Sequence, residues 1–266
     1  MVSGFPAHLR ALAAAVRLSM LTFLADPQWV IPSSIAPVIF ALAAFELYKS
    51  SGPVLVLTSI VGAAMMSMWG QTLYGSGWAT GQDRELGTLE PTLTSSTPYL
   101  WVVAGRVIVN AVTGLAGGGL VYVVVASVYH RPLPVQQPWE FAVLFVFVLL
   151  TLASVGIVLA AFFVYTRYAG FIQNFGEFAF YIGTGCMFPV ILLPLWATPV
   201  GLLLPPTWAI DALRYSTLPG YAGFSWGLAG DVAGALGTTL VYLLIAGAVF
   251  RRVERHVLEV GNLGEY

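Results

Sequence analysis

The residues of this chain with chemical potential are few, and their placement excludes most reactions. His8, His130 and His256 are the three histidines, and none lies inside the apolar spans delimited below. No serine–histidine pair and no histidine–carboxylate metal cluster is therefore expected at membrane depth. Ser76, in Gly75-Ser76-Gly77, has no base to activate it and reads as a turn residue. The single cysteine, Cys186, allows no intrachain disulfide and no thiolate metal site built from this chain alone. Lys49 is the only lysine, and no glycine-rich turn precedes it. A phosphate-cradling Gly-x-x-x-x-Gly-Lys-Ser/Thr loop is thus absent.

Two placements of charge remain. Gly81-Gln82-Asp83-Arg84-Glu85-Leu86-Gly87-Thr88-Leu89-Glu90-Pro91 is the densest polar stretch among the apolar segments and must project into water. A plain solvated connector would need neither that length nor Leu86 and Leu89, which give a short helix an apolar edge. Such an element suits a groove on a partner protein. Glu177 is the second placement, about 12 Å into an apolar run at 1.5 Å per residue. There it lines a conduit or contacts substrate, or makes a structural bond to Arg106 or Asn174.

The elements that position these groups follow from composition. The chain has 266 residues, 58% hydrophobic and 9% charged, with a net charge of -1; mean hydropathy is +0.85. Ordinary soluble domains carry about 25% charged residues. A water-soluble globule, a disordered chain and a nucleic-acid binder are all excluded, the last for want of a basic field. Uncharged intervals at 27–45, 50–82, 107–130, 141–166, 178–210 and 232–250 can each hold the roughly 20 residues that a span requires.

Turn signals trim these to an all-α membrane protein of six transmembrane helices, at about 28–47, 54–74, 99–128, 140–165, 169–188 and 232–250. Pro27, Pro53 and Pro98 mark span starts, and His130 to Pro138 is a proline-rich loop. Pro189, Pro194, Pro199, Pro205 and Pro206 are too dense for lipid-exposed helix. A partly re-entrant outer cap to about 206 is expected instead, with 207–230 staying at that surface. Arginine placement puts both termini in the cytoplasm of a cell (plasma or inner) membrane: Arg10, Arg17, Arg84, Arg106, Arg167, Arg251, Arg252 and Arg255 lie inside, against Lys49, Arg131 and Arg214 outside. Residues 1–26 form an amphipathic helix in the interface, with Leu9, Leu12, Val16, Met20 and Phe23 on one face. Residues 27–250 form the transmembrane domain and 251–266 a cytoplasmic tail.

Arg84-Glu85-Leu86-Gly87-Thr88-Leu89-Glu90, then Leu93 and Ser95-Ser96-Thr97-Pro98 before a new span, resembles the cytoplasmic-loop signature of ABC-2 type transporter permeases. Those are the exporter membrane subunits typified by drug-resistance and polysaccharide export systems. Phe188-Pro189-Val190 to Leu193-Pro194, and Leu204-Pro205-Pro206-Thr207 to Ala209-Ile210-Asp211-Ala212-Leu213-Arg214, are similar to the family's outer cap and following helix. Pro91 directly after the motif is a departure that would end the loop helix early. The resemblance implies a dimer of permeases, self-paired or with a paralogue, working on two separately encoded ATPase subunits that bind ATP and magnesium. It makes Arg84, Glu85, Leu86, Gly87, Thr88, Leu89 and Glu90 a coupling helix seated in an ATPase cleft. Arg84 and Glu90 would make charged contacts there, Gly87 would permit close approach, and Arg10 or Arg17 would supply a second contact.

Other polar and aromatic residues divide by position. Arg106 is expected to snorkel to the headgroups, and Asp211 and Arg214 to pair locally. Trp69 and Tyr74, with Phe171, Phe175, Phe178 and Phe188, are candidates for an apolar substrate path beside Glu177, or else pack against lipid or a second copy. Gly114-x-x-x-Gly118 and Gly230-x-x-x-Gly234 read as close-packing surfaces. The leading expectation is an ATP-driven exporter subunit for amphipathic drug-like or lipid-like molecules, with no catalytic site, metal or cofactor of its own. The competing readings are a polysaccharide permease of the same family, an ion-driven secondary transporter with Glu177 as coupling acid, and a membrane scaffold.

Overall fold

In the computed structural model the described residues are 5–260, less 26, 50–52, 74, 76–78, 95–98, 130–136, 166–168, 188 and 219. Every regular element among them is helical: α1 (Phe5–Ala25), α2 (Pro27–Tyr48), α3 (Pro53–Leu73), α4 (Ala79–Glu85), α5 (Leu89–Leu93), α6 (Tyr99–Tyr129), α7 (Pro138–Tyr165), α8 (Ala169–Gly183), a 3₁₀ turn (Val190–Leu192), α9 (Thr198–Leu202), α10 (Pro205–Thr217) and α11 (Gly227–Val260). Proline opens α2, α3, α7 and α10 at the first helical position, where its missing N–H would have had no helical partner.

Four stretches among the described residues are long and apolar enough to cross a membrane: His8–Ala25, Tyr99–Val128, Pro138–Val164 and Gly227–Arg252. The first is the segment expected to lie in the interface. Its Ala15 is buried where α1 meets α6, and His8 stacks on Trp101 with ring centroids 5.3 Å apart. Leu9, Leu18, Leu21 and Leu24 remain exposed, so α1 is apolar on more than the one face that periodicity assigned. The α11 helix has 34 residues, about 50 Å at 1.5 Å per residue, and overruns the expected 232–250 at both ends.

Three apolar clusters hold the bundle. One joins α2, α3 and α6 through Ala41, Ile60, Ala63, Val121 and Val125. A second gathers Leu89 and Leu93 of α5 with Tyr99, Val103, Val107, Ala160, Ala161, Val164 and Phe250. The largest packs Met65, Met68 and Trp69 of α3 with Val148 and Leu152 of α7, Ile210 and Leu213 of α10, and Ala235 of α11. Close approach of α3 and α6 depends on small residues, since a Cβ at Gly114 would lie 3.1 Å from Met68 Cα and one at Gly117 2.2 Å from Ser67 Oγ. The expected packing role of this glycine stripe is what the geometry shows.

The α10 helix departs from expectation. It is expected at the outer surface with Asp211 and Arg214 paired locally, yet Ala209, Ile210, Ala212 and Leu213 are fully buried, and Asp211 and Arg214 are nearly so. Separate segments give each charge a partner, although Arg214 Nε has none. Arg214 donates to the Gly185 carbonyl. Asp211 accepts from the Tyr221 hydroxyl and from Phe224 N–H at 3.4 Å. The two side chains are bound to different partners rather than to each other. Asp231, on α11, accepts from Trp226 Nε1 at 2.8 Å and lies against the Asp211 carboxyl. Burial and the Asp211 charge push the Tyr221 hydroxyl far above the usual tyrosine range, so it remains the donor.

Candidate functional site

The loop between α3 and α6 folds into two short helices and a turn, not one helix over 84–90. The α4 helix closes with the Gly87 N–H on the Arg84 carbonyl at 3.1 Å and the Thr88 N–H on the Asp83 carbonyl at 2.8 Å. This is the paired-bond helix ending that requires a left-handed residue after the last turn, and Gly87 supplies it with φ +67°. Nothing of this chain lies within 4 Å of a Cβ built at Gly87, so its requirement here is conformational. Thr88 then starts α5: its carbonyl accepts from both the N–H (3.2 Å) and the hydroxyl (2.6 Å) of Thr92. Pro91 is tolerated because it falls inside the first turn of this second helix.

The turn sorts the motif into two sets. Glu85, Leu86, Gly87 and Thr88 are exposed, Leu86 at 74%. Leu89 and Leu93 point inward, at 2% and 6% exposure, onto α6, α7 and α11. Leu86 and Leu89 therefore form no common edge. The Arg84 guanidinium donates to the Val164 carbonyl, one of the last carbonyls of α7, which no helical N–H can reach. The Glu90 side chain lies outside the described residues. Replacing Gly87 with valine is expected to cost about 1–2 kcal/mol, the penalty of a side chain in the left-handed region. The effect should be local, read as faster amide exchange over residues 83–88 with little change in the thermal midpoint.

A half-buried ion pair ties α4 to α6. Arg106 Nη2 donates to Asp83 Oδ2 at 2.6 Å, and the two side chains are only 13% and 17% exposed. Arg106 Nη1 also donates to the Tyr99 hydroxyl at 3.3 Å, and that hydroxyl lies 3.5 Å from the same Asp83 oxygen. Tyr99 is fully buried and packs against Phe250 with ring centroids 6.0 Å apart. Arg106 thus neither snorkels outward nor reaches Glu177. Asp83 and Tyr99 went unrecognised in the sequence, although Asp83 stands in its most polar stretch.

The other candidates are dispersed. Trp69 is fully buried and stacks on Phe180 at 5.2 Å, in the core and not on an open path. Phe178 is 59% exposed and meets Tyr181 edge-on at 6.1 Å. Glu177 accepts from the Tyr181 hydroxyl one turn along the same helix. Tyr74 and Phe188 lie outside the described residues, as do the side chains of Phe171 and Phe175. Arg10 and Arg17 are both exposed on α1.

Long apolar helices carrying a compact polar insert define a multi-pass membrane protein whose exposed turn is presented by a bolted-down base. A family model described as ABC-2 type transporter matches residues 10–218. The chain belongs to the ABC-2 type transporter family, and is the transmembrane permease of an ABC-type transporter. Permeases of this family partner with ABC ATPase subunits and typically lack an ATPase site of their own. A comparison with curated proteins finds no match.

Proposed function

We propose that this permease belongs to an ATP-driven exporter of amphipathic drug-like or lipid-like molecules, with Glu85-Leu86-Gly87-Thr88 as its contact with the ATPase. The observation that carries the reading is the division within the loop: four exposed tip residues stand on flanks held by Asp83, Arg84, Leu89 and Leu93. A large apolar side chain held out at 74% exposure on a fixed turn is suited to a partner's groove. The assembly has two ATPase copies, which bind ATP and magnesium, and a second permease. It sits in the plasma or inner membrane with six spans, both termini and the 79–93 loop on the cytoplasmic side, where positive-inside bias places most arginines. Arg10 and Arg17 on α1 offer a second basic contact. Among the described residues there is no extended outer loop, which favours small amphipathic cargo over polysaccharide.

Co-expression with its genomic neighbours, and capture of any ABC ATPase among them, tests this. Leu86→Glu places a charge in the apolar contact and should weaken retention of the ATPase at least about tenfold, equivalent to about 1.4 kcal/mol. Undiminished retention and unchanged ATP hydrolysis in both Leu86→Glu and Glu85→Ala would remove the tip from the interface.

A further inference from the structure

The polar triangle of Asp83, Arg106 and Tyr99 is not needed to terminate a helix or to fill the core. The paired bonds at Gly87 close α4, and Leu89 and Leu93 already seat the loop on the bundle. An apolar contact would serve as well for stability alone, since burying an ion pair is seldom more stabilising than burying matched apolar groups. What the triangle adds is direction. Asp83 is two residues from the exposed tip, and Arg106 and Tyr99 lie in the first two turns of α6. Through these residues a displacement of the tip acts on α6 without passing along the chain between residues 93 and 99. The α6 helix is in turn packed along α1, α2 and α3, so it is the member of the bundle best placed to spread that displacement. Each corner bonds to both others, so α4 cannot slide along α6 without breaking two contacts.

We infer that the Asp83–Arg106–Tyr99 triangle passes movement of the 85–88 tip to α6, with Arg106 as the positioning residue that makes α4 and the start of α6 move as one body. This rests on the reading of the tip as the ATPase contact. A merely structural pair would loosen α6 equally in every nucleotide state when broken. A transmitting pair, once broken, abolishes the nucleotide-dependent change in α6 while leaving that of the tip in place.

Hydrogen–deuterium exchange on the purified permease–ATPase complex separates these outcomes, comparing nucleotide-free protein with protein trapped by ATP and vanadate. In the unaltered complex, peptides covering 79–93 and 99–110 should both change protection on trapping. In Arg106→Met and Asp83→Asn the change over 79–93 should persist and the change over 99–110 should fall to background. Tyr99→Phe, which keeps the ion pair, should give an intermediate loss and serves if either charge variant folds poorly. The reversed pair, Asp83→Arg with Arg106→Asp, should restore the change over 99–110. If the variants raise exchange over 99–110 in both states but preserve the difference on trapping, the triangle is only a staple and the inference is overturned. A permease that retains no ATPase overturns the contact reading first, and this inference with it.

Discussion

Trp69→Ala should lower stability by about 3–5 kcal/mol, the range for truncating a fully buried large aromatic side chain. Trp69 has no exposed surface, stacks on Phe180, and sits where α3, α7, α10 and α11 meet. The cavity left behind could not collapse easily, because its walls are backbone-anchored residues from four helices. The measurement is the thermal midpoint of the detergent-solubilised permease. Trp69→Phe, which keeps the stacking face, should recover most of the loss. If Trp69 instead lined an open path, the alanine variant would keep a near-native midpoint, and the placement of this residue in the core would be wrong.

The second large effect is expected at Asp211. Its carboxylate accepts from the Tyr221 hydroxyl and the Phe224 N–H, so it fastens the crossing between α10 and α11 onto the buried face of α10. Asp211→Ala leaves both donors without their acceptor and removes negative charge from the neighbourhood of buried Arg214. A buried donor left without an acceptor costs about 1–3 kcal/mol, and with Phe224 buried and Tyr221 half-buried a loss of about 2–3 kcal/mol is expected. Asp211→Asn keeps one carbonyl acceptor and should cost roughly half as much. Protease susceptibility over residues 218–226 should rise together with the fall in thermal midpoint. A lowered midpoint with that crossing still protected would mean that Asp211 acts on the core and not on the crossing.

Much of the architecture was legible before any coordinates. Pro27 and Pro53 mark helix starts because the first turn tolerates a missing donor, whereas Pro138 and Pro205, which open α7 and α10, read only as loop and cap residues. The glycine spacing at 114–118 marks a tight crossing because only small residues let backbones approach. The loop motif was legible as a unit, but its inner arrangement was not. A left-handed residue at 87 rotates everything after it, and helical spacing cannot anticipate that Leu86 then faces out while Leu89 faces in. The place of Arg106 is hidden from the sequence for a related reason. Its partner Asp83 lies on a different helix across a chain reversal, and periodicity reports only neighbours on the same helix. The burial of α10 was hidden too, because spacing shows Asp211 and Arg214 only as neighbours one turn apart, while their partners Gly185, Tyr221 and Phe224 lie on other segments.

Cys186 sits in the turn after α8, fully buried beside Gly185, whose carbonyl accepts from Arg214. Thiol-directed reagents therefore find no accessible native target among the described residues. A cysteine introduced at Glu85 or Thr88 would be the one reactive handle on the permease. Bifunctional cross-linkers of graded length could then measure, in native membranes, how far that turn stands from whatever protein covers it.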